Sequence, residues 1–116
     1  MDNKELDIWL AENVMGWRSH KLSPKVWIDD IIKYTIPKSE WRPTQNIDQA
    51  VMALEKLFEG KKWDFELFYS SSESFSDKEK DHFYLAGIYK GLGDDLAKSA
   101  NIPSRAICLA MKEAMK

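Results

Sequence analysis

The sequence predicts an α+β fold with three main helices and a small antiparallel sheet of about three strands. Three observations point there. "NIDQAVMALEKLFEG" carries apolar side chains at helical spacing between a capping asparagine and a glycine. "KKWDFELFYSS" alternates as a half-buried strand does, and "IPSRAICLAMKEAMK" returns to helical spacing behind a proline.

The elements follow in order. Asp2 and Asn3 are both able caps for a first helix over residues 3–16, and Glu5 suits its positive end. Leu6, Trp9, Leu10 and Val14 line one face, with Ile8, Ala11 and Met15 as a weaker second stripe. Gly16 is placed to turn the chain out of this helix, and Trp17 to close the bottom of the core. "RSHKLSPKVWIDDIIKYTIPKSEWRPTQ" holds three of the four prolines and shows no clean period. It reads as a segment wrapping the core, with "VWIDDIIKY" as a short helical turn and Trp27 and Trp41 as anchors. The second helix spans residues 46–59 and stops at Gly60.

A strand at 63–69 then leads into the polar hairpin tip "SSSESFSDKEKD". "HFYLAGIYKG" returns, "GLGD" turns again, and "DLAKSAN" forms a short third strand. The closing helix, residues 103–115, presents Ala106, Ile107, Ala110, Met111 and Ala114, and its alanines allow close approach to the sheet. Neither a repeat nor a flexible linker divides residues 1–116, which read as a single domain.

Composition narrows the function. The chain has 116 residues, 44% of them apolar and 31% charged, as a folding domain should. Cys108 is the sole cysteine, so an internal disulfide is impossible and a cytoplasmic setting is the expectation. The opening lacks the pattern of a signal peptide, and no apolar run is long enough for a membrane span. The net charge of −2 and a supply of only three arginines argue against coating nucleic acid.

Sites of chemistry are sparse. Cys108 sits among Ile107, Leu109 and Ala110 and reads as a packing residue. His20 and His82 have no triad or metal-set neighbours, and no metal or cofactor is expected. Glu73, Asp77, Glu79 and Asp81 read as a solvated hairpin tip, not a cation site. Asp64 and Glu66 share a strand, as carboxylates do in countless ordinary strands. "GLGDD" lacks the lysine and hydroxyl of a phosphate loop. The chain is therefore read as more consistent with a binding protein than with an enzyme.

Two tryptophan–arginine pairs supply the best binding hint. "MGWR" and "EWRPT" place Trp17 beside Arg18 and Trp41 beside Arg42. Tryptophan fills interface pockets or stacks, and arginine pairs with carboxylate or phosphate. If the four converge, they would hold an acidic peptide or a small nucleotide-like anion. The bland alternative is that the indoles glue a long loop to the core.

"AENVMGW", "WRPTQNIDQAVMALEKL" and "SANIPSRAICLAMKEAM" resemble the phage ABA sandwich domain family, small proteins of phages and prophages. The resemblance covers nearly the whole chain. It is carried by Val14, Met15, Gly16 and Trp17, by Trp41 and Pro43, and by Pro103, Ala106, Ile107 and Cys108. It implies an α/β/α-type sandwich and brings no biochemical role. The resulting expectation is an accessory binding protein without catalytic activity that recognises a host or phage protein, with a homodimer left open. A nucleotide-sequestering protein and a double-stranded-RNA-binding-like module are the alternatives, the latter on the order of elements alone.

Overall fold

The computed structural model describes residues 1–73, 80–91, 95–100 and 102–116, and at 70–73, 80–83, 95–97 and 99 it describes the backbone alone. Helix α1 spans Asn3–Asn13. A first sheet follows, made of β1 (Arg18–Ser19), β2 (Val26–Asp29) and β3 (Tyr34–Pro37), with a 3-10 turn at Lys38–Glu40. Helix α2 is Ile47–Phe58. A second sheet contains β4 (Asp64–Glu73), β5 (Lys80–Tyr89) and β6 (Asp95–Ala100), and α3 (Pro103–Ala114) closes the chain. Both sheets are antiparallel meanders in sequential order.

The fold is thus α+β, with three main helices and a three-stranded antiparallel sheet after α2. Local chemistry sets the helix ends. Asp2 accepts from the Glu5 amide at 2.8 Å, and Asn46 accepts from the Gln49 amide at 3.2 Å. Gly16 takes φ +71° beyond α1, and the Trp17 amide reaches back to the Ala11 carbonyl at 2.9 Å. Pro103 occupies the first turn of α3, where a missing amide proton costs nothing.

The main sheet and α3 meet through small side chains. Phe65, Ala86 and Ile88 share one sheet face, and Ala86 and Ile88 are fully buried. Opposite them α3 buries Ala106, Ile107, Ala110 and Met111 completely. Helix α3 also packs on α2 and α1, so it lies at the centre of the molecule. Removing one large aliphatic side chain from water is worth about 1.5–3 kcal/mol, and Ile88, Ile107 and Met111 each contribute on that scale.

The segment between α1 and α2 corrects one expectation. Val26–Asp29 is a strand, not a helical turn. Its register pairs Trp27 with Ile36 and Ser19 with Trp27, and this puts Trp27 and Ile36 into the core. The apolar residues that broke the alternation, Ile31 and Ile32, lie in the turn linking β2 to β3. Asp29 Oδ1 accepts from the amides of both, at 2.9 and 3.3 Å, and Lys33 takes φ +58° to complete the reversal. Of the expected hairpin tip, residues 74–79 lie outside the described residues, as do residues 92–94 of the expected "GLGD" turn.

Candidate binding face

The first sheet and α1 meet over two indoles. Trp17 and Trp41 touch edge to face, with ring centroids 4.7 Å apart and planes at 65°. They are only 4% and 2% exposed. Each indole N–H finds a fixed acceptor: Trp17 donates to Asp29 Oδ2 at 3.2 Å, and Trp41 to the Asp7 carbonyl at 3.0 Å.

The network continues inward. The Thr44 amide donates to Asp7 Oδ1 at 2.9 Å, and the Ser104 hydroxyl donates to the Thr44 carbonyl at 2.8 Å. Hydrogen bonds therefore tie α1, the segment before α2 and the start of α3. Burial pushes the Asp7 carboxyl above its ordinary range, against the pull of the Thr44 amide and of Arg42 and Arg105. The Thr44 hydroxyl oxygen is buried without a partner among the described residues.

Of the four residues expected to bind, the fold joins the two indoles and separates the two arginines. Arg18 forms a two-pronged pair with Asp30, Nε to Oδ2 at 2.6 Å and Nη2 to Oδ1 at 2.8 Å. That bond holds the Asp30 carboxyl below its ordinary range and raises Arg18. Arg42 is tied to its own turn, donating from Nε to the Ser39 carbonyl at 2.8 Å. Gln49 locks the same turn from α2, accepting from the Arg42 amide at 2.6 Å and donating to the Glu40 carbonyl at 2.7 Å. Arg42 borders one hollow and Arg18 another.

The larger hollow, of about 610 Å³, opens between α1 and the first sheet. Trp27, Trp41 and Ile8 contribute to its walls, and Lys4, Lys25, Lys38 and Arg42 border it. Asp7 is the acidic residue of that lining. A second hollow of about 290 Å³ adjoins it, sharing Ile8, Trp27 and Lys38. Lys38 stands between them: its Nζ lies 4.3 Å from the centre of the Trp27 ring and donates to Ser19 Oγ at 2.5 Å.

Beyond the smaller hollow lies the β2–β3 turn. Ile31 and Ile32 are 87% and 70% exposed there, although Asp29 and the Arg18–Asp30 pair fix the backbone beneath them. Burial raises the Asp29 carboxyl, but the amides of Ile32 and Ile31 and the indole of Trp17 together hold it below its ordinary range. A charged carboxylate thus anchors the turn.

Cys108 is fully buried, and desolvation, with Asp7 nearby, drives its thiol far up from the ordinary range. Among the described residues, no group of three or more histidine, cysteine or acidic side chains could hold a metal ion. No described helix is long and apolar enough to cross a membrane.

Neither the lysines of the larger hollow nor the paired isoleucines form a binding motif in the sequence. Lys4, Lys25 and Lys38 become neighbours of one cavity only through the tertiary fold. The isoleucines did leave a trace, as two consecutive aliphatics directly after two aspartates in a turn-rich stretch.

Fold and site together define an α+β protein with a lysine-rimmed groove and a braced apolar turn. Comparison with protein-family models, with curated proteins and with solved structures finds no match.

Proposed function

We propose that this chain is an accessory binding protein without catalytic activity, which recognises a protein partner through its β2–β3 turn. The observation that carries this reading is the exposure of Ile31 and Ile32 on a turn held from below by Asp29 and by Arg18 with Asp30. Two adjacent aliphatic side chains in water cost free energy that a partner's apolar pocket recovers. Bracing the backbone in advance reduces the ordering cost of association. Lys21 and Lys33 act on the Asp30 carboxyl at the same end of the sheet, so a partner pocket with an acidic rim suits it best. The phage or prophage setting of this proposal rests on the resemblance to the phage ABA sandwich family, which itself brings no biochemical role.

A photo-crosslinking residue in place of Ile32, in cells producing the chain, tests this reading. The expected result is one dominant protein adduct, lost when Ile31→Asp is added while the circular dichroism spectrum is unchanged. Adduct formation that ignores Ile31→Asp, or the absence of any discrete adduct, would contradict it.

A further inference from the structure

We propose that the groove between α1 and the first sheet binds an extended acidic peptide segment of the partner. Charge comes first. Lys4, Lys25, Lys38 and Arg42 border the larger hollow, against Asp7 as its acidic residue. Lys4 and Lys25 are exposed and lie in no salt bridge among the described residues. They come from different elements, α1 and the loop before β2, so their charges are spread along the opening.

Shape agrees with this occupant. The hollow of about 610 Å³ adjoins the smaller one of about 290 Å³, with Lys38 bordering both, and the smaller one adds Arg18 and Glu12 to the charges. An extended chain can lie across two adjacent hollows and present successive side chains to separate cations. Asn3, Ser39 and Gln45 also border the groove and suit the amide groups of a backbone.

A nucleotide fits less well. A base needs an open aromatic face, yet Trp27 and Trp41 are 4% and 2% exposed, and Lys38 already lies over the Trp27 ring. Phosphate is best held by a free, forked guanidinium, whereas Arg42 spends its Nε on the Ser39 carbonyl. Three lysines instead act as separate point charges, a pattern that matches carboxylates spaced along a peptide.

This inference rests on the reading of the chain as a protein-binding module, but it concerns a different surface from the β2–β3 turn. Binding of an acetylated, amidated hexaglutamate peptide, of ATP and of a hexauridine RNA can be followed by backbone amide shifts at low ionic strength. The peptide should move the amides around Lys4, Lys25 and Lys38, and its affinity should fall with added salt. Lys4→Gln with Lys25→Gln should weaken it by about two- to fivefold per cation removed, while Lys62→Gln leaves it unchanged. Both altered lysines are exposed, so the fold stays intact. No shift with the peptide, equal weakening by Lys62→Gln, or tighter binding of ATP or RNA would overturn the inference. Absence of peptide binding by the unaltered chain with crosslinking at Ile32 retained would sink the groove alone, and the reverse result would sink the turn alone.

Discussion

The two ends of this molecule are held together by different physics. Around α1 and the first sheet, a few large aromatic side chains are pinned by individual hydrogen bonds, as in Trp41 to Asp7 and Trp17 to Asp29. Between α3 and the second sheet, repeated small and medium apolar residues close a seam, with Ala106, Ala110 and Ile88 fully buried. The first arrangement leaves hollows and a turn beside its pinned rings. The second is packed from apolar side chains such as Ala86, Ile88, Ile107 and Met111. Both proposed binding surfaces lie with the first, where discrete bonds can hold a shape that is not fully packed.

Substitutions should separate the two designs. Trp41→Ala ought to have the largest effect, about 3–5 kcal/mol of stability lost, because it removes a large buried ring and leaves the Asp7 carbonyl without its donor. Urea denaturation would measure it, and a loss below about 1 kcal/mol would mean that the ring is not essential to this end. The seam should fail in the opposite sense, by crowding. Ala106→Leu is expected to cost about 1–3 kcal/mol, since the alanine is fully buried within the closely packed seam.

A smaller effect is expected where the two ends join. Ser104→Ala leaves the Thr44 carbonyl without its donor at the start of α3, and about 1–2 kcal/mol should be lost. The thermal midpoint would fall accordingly. Neutral behaviour would show that the ends are coupled by packing alone.

The smallest effect is one of pH. Asp7 has a raised folded-state pKa, so the folded chain binds the proton more tightly than the unfolded chain. Its contribution is fully favourable below the ordinary value of 3.8 and is lost as pH rises through the raised value. Asp7→Asn retains an oxygen acceptor for the Thr44 amide and cannot titrate. Relative to that variant, the native chain should gain stability as pH falls from 7 toward 4. Asp29 and Asp30 have the opposite sign: their contributions are present above their ordinary value and disappear as pH falls below it. Both remain in the variant, so the difference between the two proteins isolates Asp7. A difference that stays flat or shrinks on acidification would contradict the assignment.

Legibility in the sequence divides along the same line. Helices expected at 3–16, 46–59 and 103–115 are found at Asn3–Asn13, Ile47–Phe58 and Pro103–Ala114. The strand expected at 63–69 begins at Asp64 and runs further than its alternation indicated. Periodic burial on a regular element writes itself into residue spacing, and those parts could be read. The first sheet could not, because its strands have only two to four residues, too few to establish a period. Trp17 and Trp41 are buried, as their reading as anchors of the core expects, but their pairing with each other is a tertiary fact. The arginines beside them in sequence point to separate hollows, since neighbours on an irregular chain need not share a face.

The central claim is that individual hydrogen bonds pin the aromatic end. Hydrogen exchange at the five tryptophan indole N–H groups tests it most directly, read by proton–nitrogen NMR in native buffer. Trp41, buried and bonded to the Asp7 carbonyl, should exchange slowest, at a rate set by opening of the fold. Trp17, bonded to the Asp29 carboxylate, should also be protected. Exchange of Trp41 at the rate of a free indole would contradict the account.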